Sequence, residues 1–119
     1  MKITNDKKLI DVQREFTEHF PFLKLEFYQQ EHDSGVGSPN ALKLNPELTI
    51  GAVRSEASSG NLSIHGGQKV STLEQNFSDQ YGLHVQVFRR AGDIWMQTTR
   101  TDDWTLSNQN ERGAASVNT

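Results

Sequence analysis

The segment VSTLEQNFSDQYGL, residues 70–83, constrains the fold of this chain more than any other. Its bulky apolar residues recur at every fourth position: Leu73, Phe77 and Tyr81. This period is that of an α-helix with one apolar face, which must be buried against another element. Ser71 and Glu74 have the spacing of a capping box, and Gly82 suits the left-handed residue that follows a helix. The sequence therefore predicts a helix over 70–81.

The segments around this helix predict strands. LSIH, residues 62–65, precedes the helix, and LHVQVF, residues 83–88, follows it. If these two strands are parallel neighbours, the unit is a right-handed crossover. Earlier in the chain, FLKLEFY (22–28) alternates apolar and charged residues, which is typical of a half-buried strand. ELTIGAV (47–53) predicts one more strand, weakened by its glycine.

The run LHVQVFRRAGDIWMQTT, residues 83–99, predicts a β-hairpin. If Ala91 and Gly92 form a two-residue turn, Phe88 lies opposite Trp95. Ala-Gly is not a favoured turn pair, so a longer loop with a shifted register stays open. One face of the hairpin then meets the helices, and the opposite face carries an aromatic pair among polar residues: Gln86, Phe88, Trp95 and Gln97.

Two more helices are predicted at the ends of the chain. The first has an apolar stripe at spacings of three, four and four: Leu9, Val12, Phe16 and Phe20. Thr4 or Asn5 is expected to cap it. The last is a short helix within TDDWTLSNQNERG (101–113), with Asp103 or Thr105 as its cap. We expect Gly113 to end it and Trp104 to be buried against the sheet.

These elements predict an α+β fold in a single two-layer domain that covers residues 1–119. A mixed sheet of about four to five strands would pack against the helices, with a short helix at the C-terminus. The segment 29–46 is rich in turn-forming residues and is expected to be a flexible loop. Residues 114–119 are expected to fray. No internal repeat is evident in the sequence.

Composition narrows the function classes. The net charge is −3, and the twelve basic residues are scattered, which disfavours nucleic-acid binding. The chain has no cysteine and no stretch long and apolar enough for a signal peptide or a membrane span, so we expect a soluble cytoplasmic protein. Residues 31–33, EHD, offer metal-binding side chains but not a complete ligand set. No cofactor or metal is expected.

Two kinds of site compete as hypotheses. In the first, the sheet face with Phe88, Trp95, Gln86 and Gln97 binds a second copy or another protein, unless the C-terminal helix covers it. In the second, backbone amides at the strand-to-helix turn hold a small anion or a nucleotide: His65, Gly66, Gly67 and Ser71. Because no coherent catalytic set stands out, a non-enzymatic interaction domain is the preferred interpretation, with a homodimer or a protein partner expected.

The C-terminal third of the chain resembles a group of small bacterial proteins of uncharacterised activity. The shared pattern is a capped helix that ends in F…YGL, followed by VQVFR, W…TT and D-x-WTL-x-x-QN-x-x-G. The matching residues run from Phe77 to Gly113 and include Trp95, Trp104 and Asn110. The N-terminal segment around residues 16–27 matches more loosely. The resemblance implies a stand-alone bacterial domain and carries no activity.

Overall fold

Residues 1–29 and 37–117 are described by the computed structural model, and they form four helices and five strands. The elements in chain order are β1 (Lys2–Ile3), α1 (Leu9–His19), β2 (Leu23–Tyr28), α2 (Ile50–Val53), β3 (Gly60–Asn61), α3 (Val70–Tyr81), β4 (His84–Ala91), β5 (Ile94–Gln97) and α4 (Leu106–Val117). Two 3-10 turns add Asn40–Leu42 and Thr99–Thr101. Within the described residues, no helix has the length and apolar character needed to cross a membrane.

The predicted α+β class with a C-terminal helix is confirmed. The described strands form two antiparallel sheets rather than one mixed sheet: β2-β4-β5, and a small pair made of β1 and β3. Helix α1 packs on β2, and helices α3 and α4 pack on β4. These helices bury the sheet face on which Leu23, Leu25 and Val87 are at most 1% exposed.

Two predicted strands do not form. ELTIGAV contains helix α2, where the Thr49 side chain accepts a hydrogen bond from the Ala52 amide (3.2 Å). LSIH follows the short strand β3 instead of forming a strand itself, and β3 pairs with β1. The parallel crossover to β4 is therefore wrong, because β4 pairs antiparallel with β2 and β5.

The structure contains an internal repeat that the sequence does not reveal. Helices α1 and α3 place buried apolar residues at the same intervals: Leu9, Val12, Phe16 and Phe20 in one, and Val70, Leu73, Phe77 and Tyr81 in the other. Strands β1 and β3, which precede the two helices, pair antiparallel with each other. Strands β2 and β4, which follow the helices, do the same. The two halves are therefore related by an approximate two-fold axis.

The helix N-termini of each half cap one another through their backbones. The first amide of every helix donates to a carbonyl in the turn before its partner helix: Leu9 to Leu48 (2.9 Å), Ile50 to Lys7 (2.8 Å), Val70 to Trp104 (3.0 Å) and Leu106 to Gln68 (2.8 Å). These bonds satisfy amides that a helix cannot satisfy internally. The four residues that donate them are fully buried.

Reciprocal capping explains why the predicted side-chain caps of α1 and α3 are wrong. Their cap residues are Lys8 and Lys69, which make no side-chain capping bond. Glu74 is not part of a capping box, since its carboxylate accepts a hydrogen bond from the Val87 amide (3.0 Å). The predicted Thr105 cap is confirmed, because its hydroxyl accepts from the Asn108 amide (3.1 Å).

A glycine was expected just after the last residue of α3 and of α4, and this holds for α3 only. As predicted, Gly82 is left-handed (φ 64°) after α3. The Leu83 amide donates to the Phe77 carbonyl (3.0 Å). Gly113 does not end α4, which continues to Val117. Its lack of a side chain serves packing instead, because a Cβ there would lie 2.9 Å from the Phe22 Cβ. Residues 114–117 are thus helical rather than frayed.

Candidate functional site

The β4–β5 hairpin turns at Gly92 and Asp93, so the register predicted from an Ala91-Gly92 turn is wrong. Gly92 has φ 64°, a conformation that glycine adopts without strain. Ala91 pairs with Ile94, Arg90 with Trp95, and Phe88 with Gln97. Phe88 and Trp95 are therefore diagonal rather than directly opposed.

The four residues predicted to share a sheet face do share it, because paired residues and alternate residues of a strand lie on the same side. The chain segment at Ser38 covers the part of this outer face that carries Gln86 and Gln97. The backbone of Ser38 makes two hydrogen bonds with the Gln97 amide group, both 2.9 Å, and its hydroxyl lies 3.3 Å from the Gln86 oxygen. Gln86 is completely buried, so it cannot contact a partner directly.

Phe88 and Trp95 remain half-exposed on the outer face and are surrounded by cations. The Lys24 ammonium lies 5.2 Å from the Phe88 ring centre and 5.3 Å from that of Trp95. Arg90 lies 5.3 Å from Trp95, and Lys43 lies 5.9 Å from Phe88. These are cation–π distances. Helix α4 does not cover this pair, since it packs on the opposite face.

Glu26 moderates the positive charge of the outer face. Its carboxylate lies 3.2 Å from the Lys24 ammonium and 4.0 Å from that of Lys43. Burial, together with the Glu26 charge, raises the pKa of Tyr28 to about 12, so this phenol stays neutral at physiological pH. The outer face is therefore a mixed cationic and aromatic surface.

The two edges of the three-stranded sheet differ. The β2 edge is covered, because Lys43 pairs with Tyr28 and the Leu44 amide donates to the Phe27 carbonyl (2.8 Å). Strand β5 forms the other edge, and no further strand of the described residues pairs with it. Its side chains on the helix-facing side are the exposed ones, with Ile94 at 60% and Met96 at 40% exposure. The hairpin pattern gave no signal for Ile94 as a site residue.

At the predicted anion site, the amides of Val70 and Ser71 are already bonded within the chain. The Ser71 amide donates to the Asp102 carbonyl (2.7 Å), and the Val70 amide donates to Trp104. Gly66 approaches α4 so closely that a Cβ would lie 2.0 Å from the Ser107 hydroxyl. His65 is exposed beside Gly67. An anion would have to displace the reciprocal capping bonds, so the hypothesis gains no support from this geometry.

The TDDWTL turn serves this capping through its backbone carbonyls. Asp103 is exposed, and Asp102 contributes its backbone carbonyl to Ser71. Trp104 is partly buried, and the guanidinium carbons of Arg89 and Arg112 lie 5.7 and 5.8 Å from its ring centre. The Trp104 ring therefore makes cation–π contacts with both arginines.

No cluster of three or more metal-binding side chains occurs among residues 1–29 and 37–117. The EHD segment, residues 31–33, lies outside the described residues. No family model, curated protein or solved structure matches this chain.

Proposed function

We propose that this chain is an interaction domain that self-associates by pairing strand β5 with β5 of a second copy. The observation that carries the proposal is an open sheet edge whose apolar side chains, Ile94 and Met96, are 60% and 40% exposed. Sheet edges in stable monomers are usually protected by charge, proline or a covering segment. Strand β5 consists of Ile, Trp, Met and Gln, and so lacks a charged residue or proline.

The hairpin register leaves backbone groups of β5 pointing away from β4. A two-residue turn makes Ala91 and Ile94 a hydrogen-bonded pair, so alternation directs the N–H and C=O of Trp95 away from β4. The Thr98 amide bond to the Val87 carbonyl (3.2 Å) follows the same alternation. Trp95 therefore offers a donor and an acceptor to an added antiparallel strand.

A second copy fits this edge because the pairing is self-complementary. A two-fold axis through the Trp95 pair places Ile94 opposite Met96 of the second copy, and Met96 opposite its Ile94. Both apolar side chains then lie on one face at close spacing, where cross-strand pairs stabilise a sheet. The indole of Trp95, half-exposed on the other face, would lose accessible surface as well.

The alternative, anion or nucleotide binding at His65-Gly66-Gly67, is disfavoured because the Ser71 amide already bonds to Asp102. From composition and from the resemblance to small bacterial proteins, we further propose that the domain acts in a bacterial cytoplasm. Binding, rather than catalysis, is the proposed role.

Association is tested by light scattering coupled to size-exclusion chromatography over a range of concentrations. The mass of the parent chain, 13.4 kDa, is expected to double as the concentration rises. Ile94→Lys places a charge at the edge on a side chain that is already exposed, so the variant should fold and remain a single chain. The matched control is Leu48→Lys, which changes a 38% exposed residue away from β5 and should associate like the parent.

Two results would contradict this proposal. One is a parent protein that keeps the mass of one chain at the highest concentration reached. The other is an Ile94→Lys protein that associates as well as Leu48→Lys, which would place the contact elsewhere on the surface. Circular dichroism of both variants confirms that each one is folded.

A further inference from the structure

Met96 places a thioether at the open edge of the sheet, on the side of β5 that faces the helices. Its side chain is 40% exposed, whereas the other methionine of the chain, Met1, is partly buried against the core. A peroxide oxidises a thioether to a sulfoxide, and it must reach the sulfur to do so. Met96 is therefore the methionine that a peroxide reaches first.

The Met96 sulfur lies beside a guanidinium group. Arg89 is paired with Met96 across β4 and β5, and its Nη2 lies 3.8 Å from the Met96 Sδ. A thioether sulfur is only a weak hydrogen-bond acceptor. Through Nη1, Arg89 also donates to the Gln109 side-chain oxygen (2.7 Å). Within residues 1–29 and 37–117, no carboxylate forms an ion pair with Arg89.

Oxidation of Met96 would give this guanidinium a strong acceptor in place of a weak one. Burial, together with the nearby Arg112 charge, lowers the pKa of Arg89, so its surroundings solvate the charge less well than water does. A sulfoxide oxygen is bonded directly to the sulfur, and rotation of the flexible side chain brings it within hydrogen-bond distance of Nη2. The oxidised side chain is therefore stabilised on the β4 side of Met96.

In the proposed dimer, the same side chain must be apolar. This inference rests on the proposed β5 pairing, in which Met96 lies opposite Ile94 of the second copy. Arg89 belongs to β4, so it and the second copy lie on opposite sides of Met96. A sulfoxide turned towards Arg89 loses the contact with Ile94. A sulfoxide turned towards Ile94 buries an acceptor without a partner, which costs free energy. Both orientations favour the single chain.

We propose that Met96 is an oxidation site at which hydrogen peroxide converts the β5 edge from a self-associating to a non-associating form. The sulfur attacks one peroxide oxygen, an S–O bond forms, and the O–O bond breaks. The proton of the transferred oxygen moves to the departing hydroxide, which leaves as water. The sulfur is thus oxidised by two electrons, and the peroxide is reduced. Enzymatic reduction of the sulfoxide would restore the apolar edge.

Peptide mass spectrometry after treatment with hydrogen peroxide tests where oxidation occurs. We expect Met96 to gain an oxygen atom faster than Met1. This gain should slow as the protein concentration rises, because pairing of β5 would bury the sulfur. The comparison of the two methionines does not require association, so it reports on the oxidation site by itself.

Light scattering coupled to size-exclusion chromatography then compares the oxidised and untreated chains. The dissociation constant should rise by about tenfold or more on oxidation, because each copy brings a polar group into an apolar contact. Treatment with methionine sulfoxide reductase and dithiothreitol should return it to the starting value. Circular dichroism before and after treatment confirms that the oxidised chain is folded.

The control is Met96→Leu, with each protein compared with itself before and after peroxide. Leucine is apolar and of similar volume but has no sulfur, so peroxide should leave the association of this variant as it was. If peroxide weakens the association of Met96→Leu as much as that of the parent, another residue is responsible and the proposal is wrong.

Two further outcomes would overturn the proposal. One is oxidation of Met1 as fast as that of Met96, and the other is a fully oxidised chain that associates as tightly as the untreated one. Both leave the β5 interface intact. An untreated parent that stays a single chain contradicts the β5 interface itself, and the regulation by oxidation fails with it.

Discussion

Replacing Phe77 by alanine should lower the free energy of unfolding by about 3–5 kcal/mol. Phe77 is fully buried and meets Phe27 edge-to-face, with ring centres 6.1 Å apart and an interplanar angle of 87°. Its removal leaves a cavity between α3 and β2 and also removes the aromatic contact. Since domains of this size are stable by about 5–15 kcal/mol, the variant should be close to unfolding.

Urea denaturation measures this loss. Phe16→Ala, at the equivalent position of the first half, should cost a similar amount, because Phe16 is also fully buried. Gln75→Ala, at an exposed position of α3, is the control and should change the stability by less than about 0.5 kcal/mol. A loss below about 1 kcal/mol for Phe77→Ala would contradict the core packing described above.

Replacing Gly113 by valine should destabilise the domain by about 1–3 kcal/mol, the usual cost of overpacking. A Cβ at this position would lie 2.9 Å from the Phe22 Cβ and 3.0 Å from the Phe22 carbonyl oxygen. The backbone atom cannot move aside as the end of a flexible side chain can, so α4 must shift away from the sheet. Helix propensity alone favours valine over glycine, which makes a loss diagnostic of the close approach.

Thermal and urea melts of Gly113→Val are compared with those of Ala115→Val. Ala115 is exposed on the same helix, so this control carries the cost of a β-branched residue without the clash. Its stability should stay within about 0.5 kcal/mol of the parent. If Gly113→Val is as stable as the control, α4 is not held against Phe22.

Local periodicity predicted those elements whose stability comes from one apolar face. Helices α1 and α3, strand β2 and the β4–β5 hairpin follow from spacings within a single segment. The side-chain caps of α1 and α3 were predicted incorrectly because the helix amides bond to the backbone of turns far away in sequence, as in Val70 with Trp104. A local pattern such as S-x-x-E carries no information about such a partner.

The internal repeat escaped sequence analysis because the two halves share the pattern of burial more widely than residue identity. Leu9 matches Val70, and Phe20 matches Tyr81, so equivalent positions keep apolar character with different side chains. Strand pairing between the halves supplies the evidence that the sequence lacks. Predicting ELTIGAV as a strand failed for a related reason, since the Ile50 amide that begins α2 bonds to the distant Lys7 carbonyl.

The candidate sites were predictable to a limited extent. Alternation placed Phe88 and Trp95 on one face correctly, but it could not show that Ser38 covers Gln86, because a loop's contacts depend on the tertiary fold. Ile94 was missed, because its place at the open edge depends on the register fixed by the Gly92-Asp93 turn.

Hydrogen–deuterium exchange of the Trp95 backbone amide, measured by NMR at several protein concentrations, tests the proposed self-association most directly. This amide points away from β4, so it should exchange quickly in the single chain and slowly once β5 pairs with a second copy. We predict that its protection rises with concentration in the parent and in Leu48→Lys but stays low in Ile94→Lys. Fast exchange of the Trp95 amide at every concentration of the parent would contradict the proposed β5 interface.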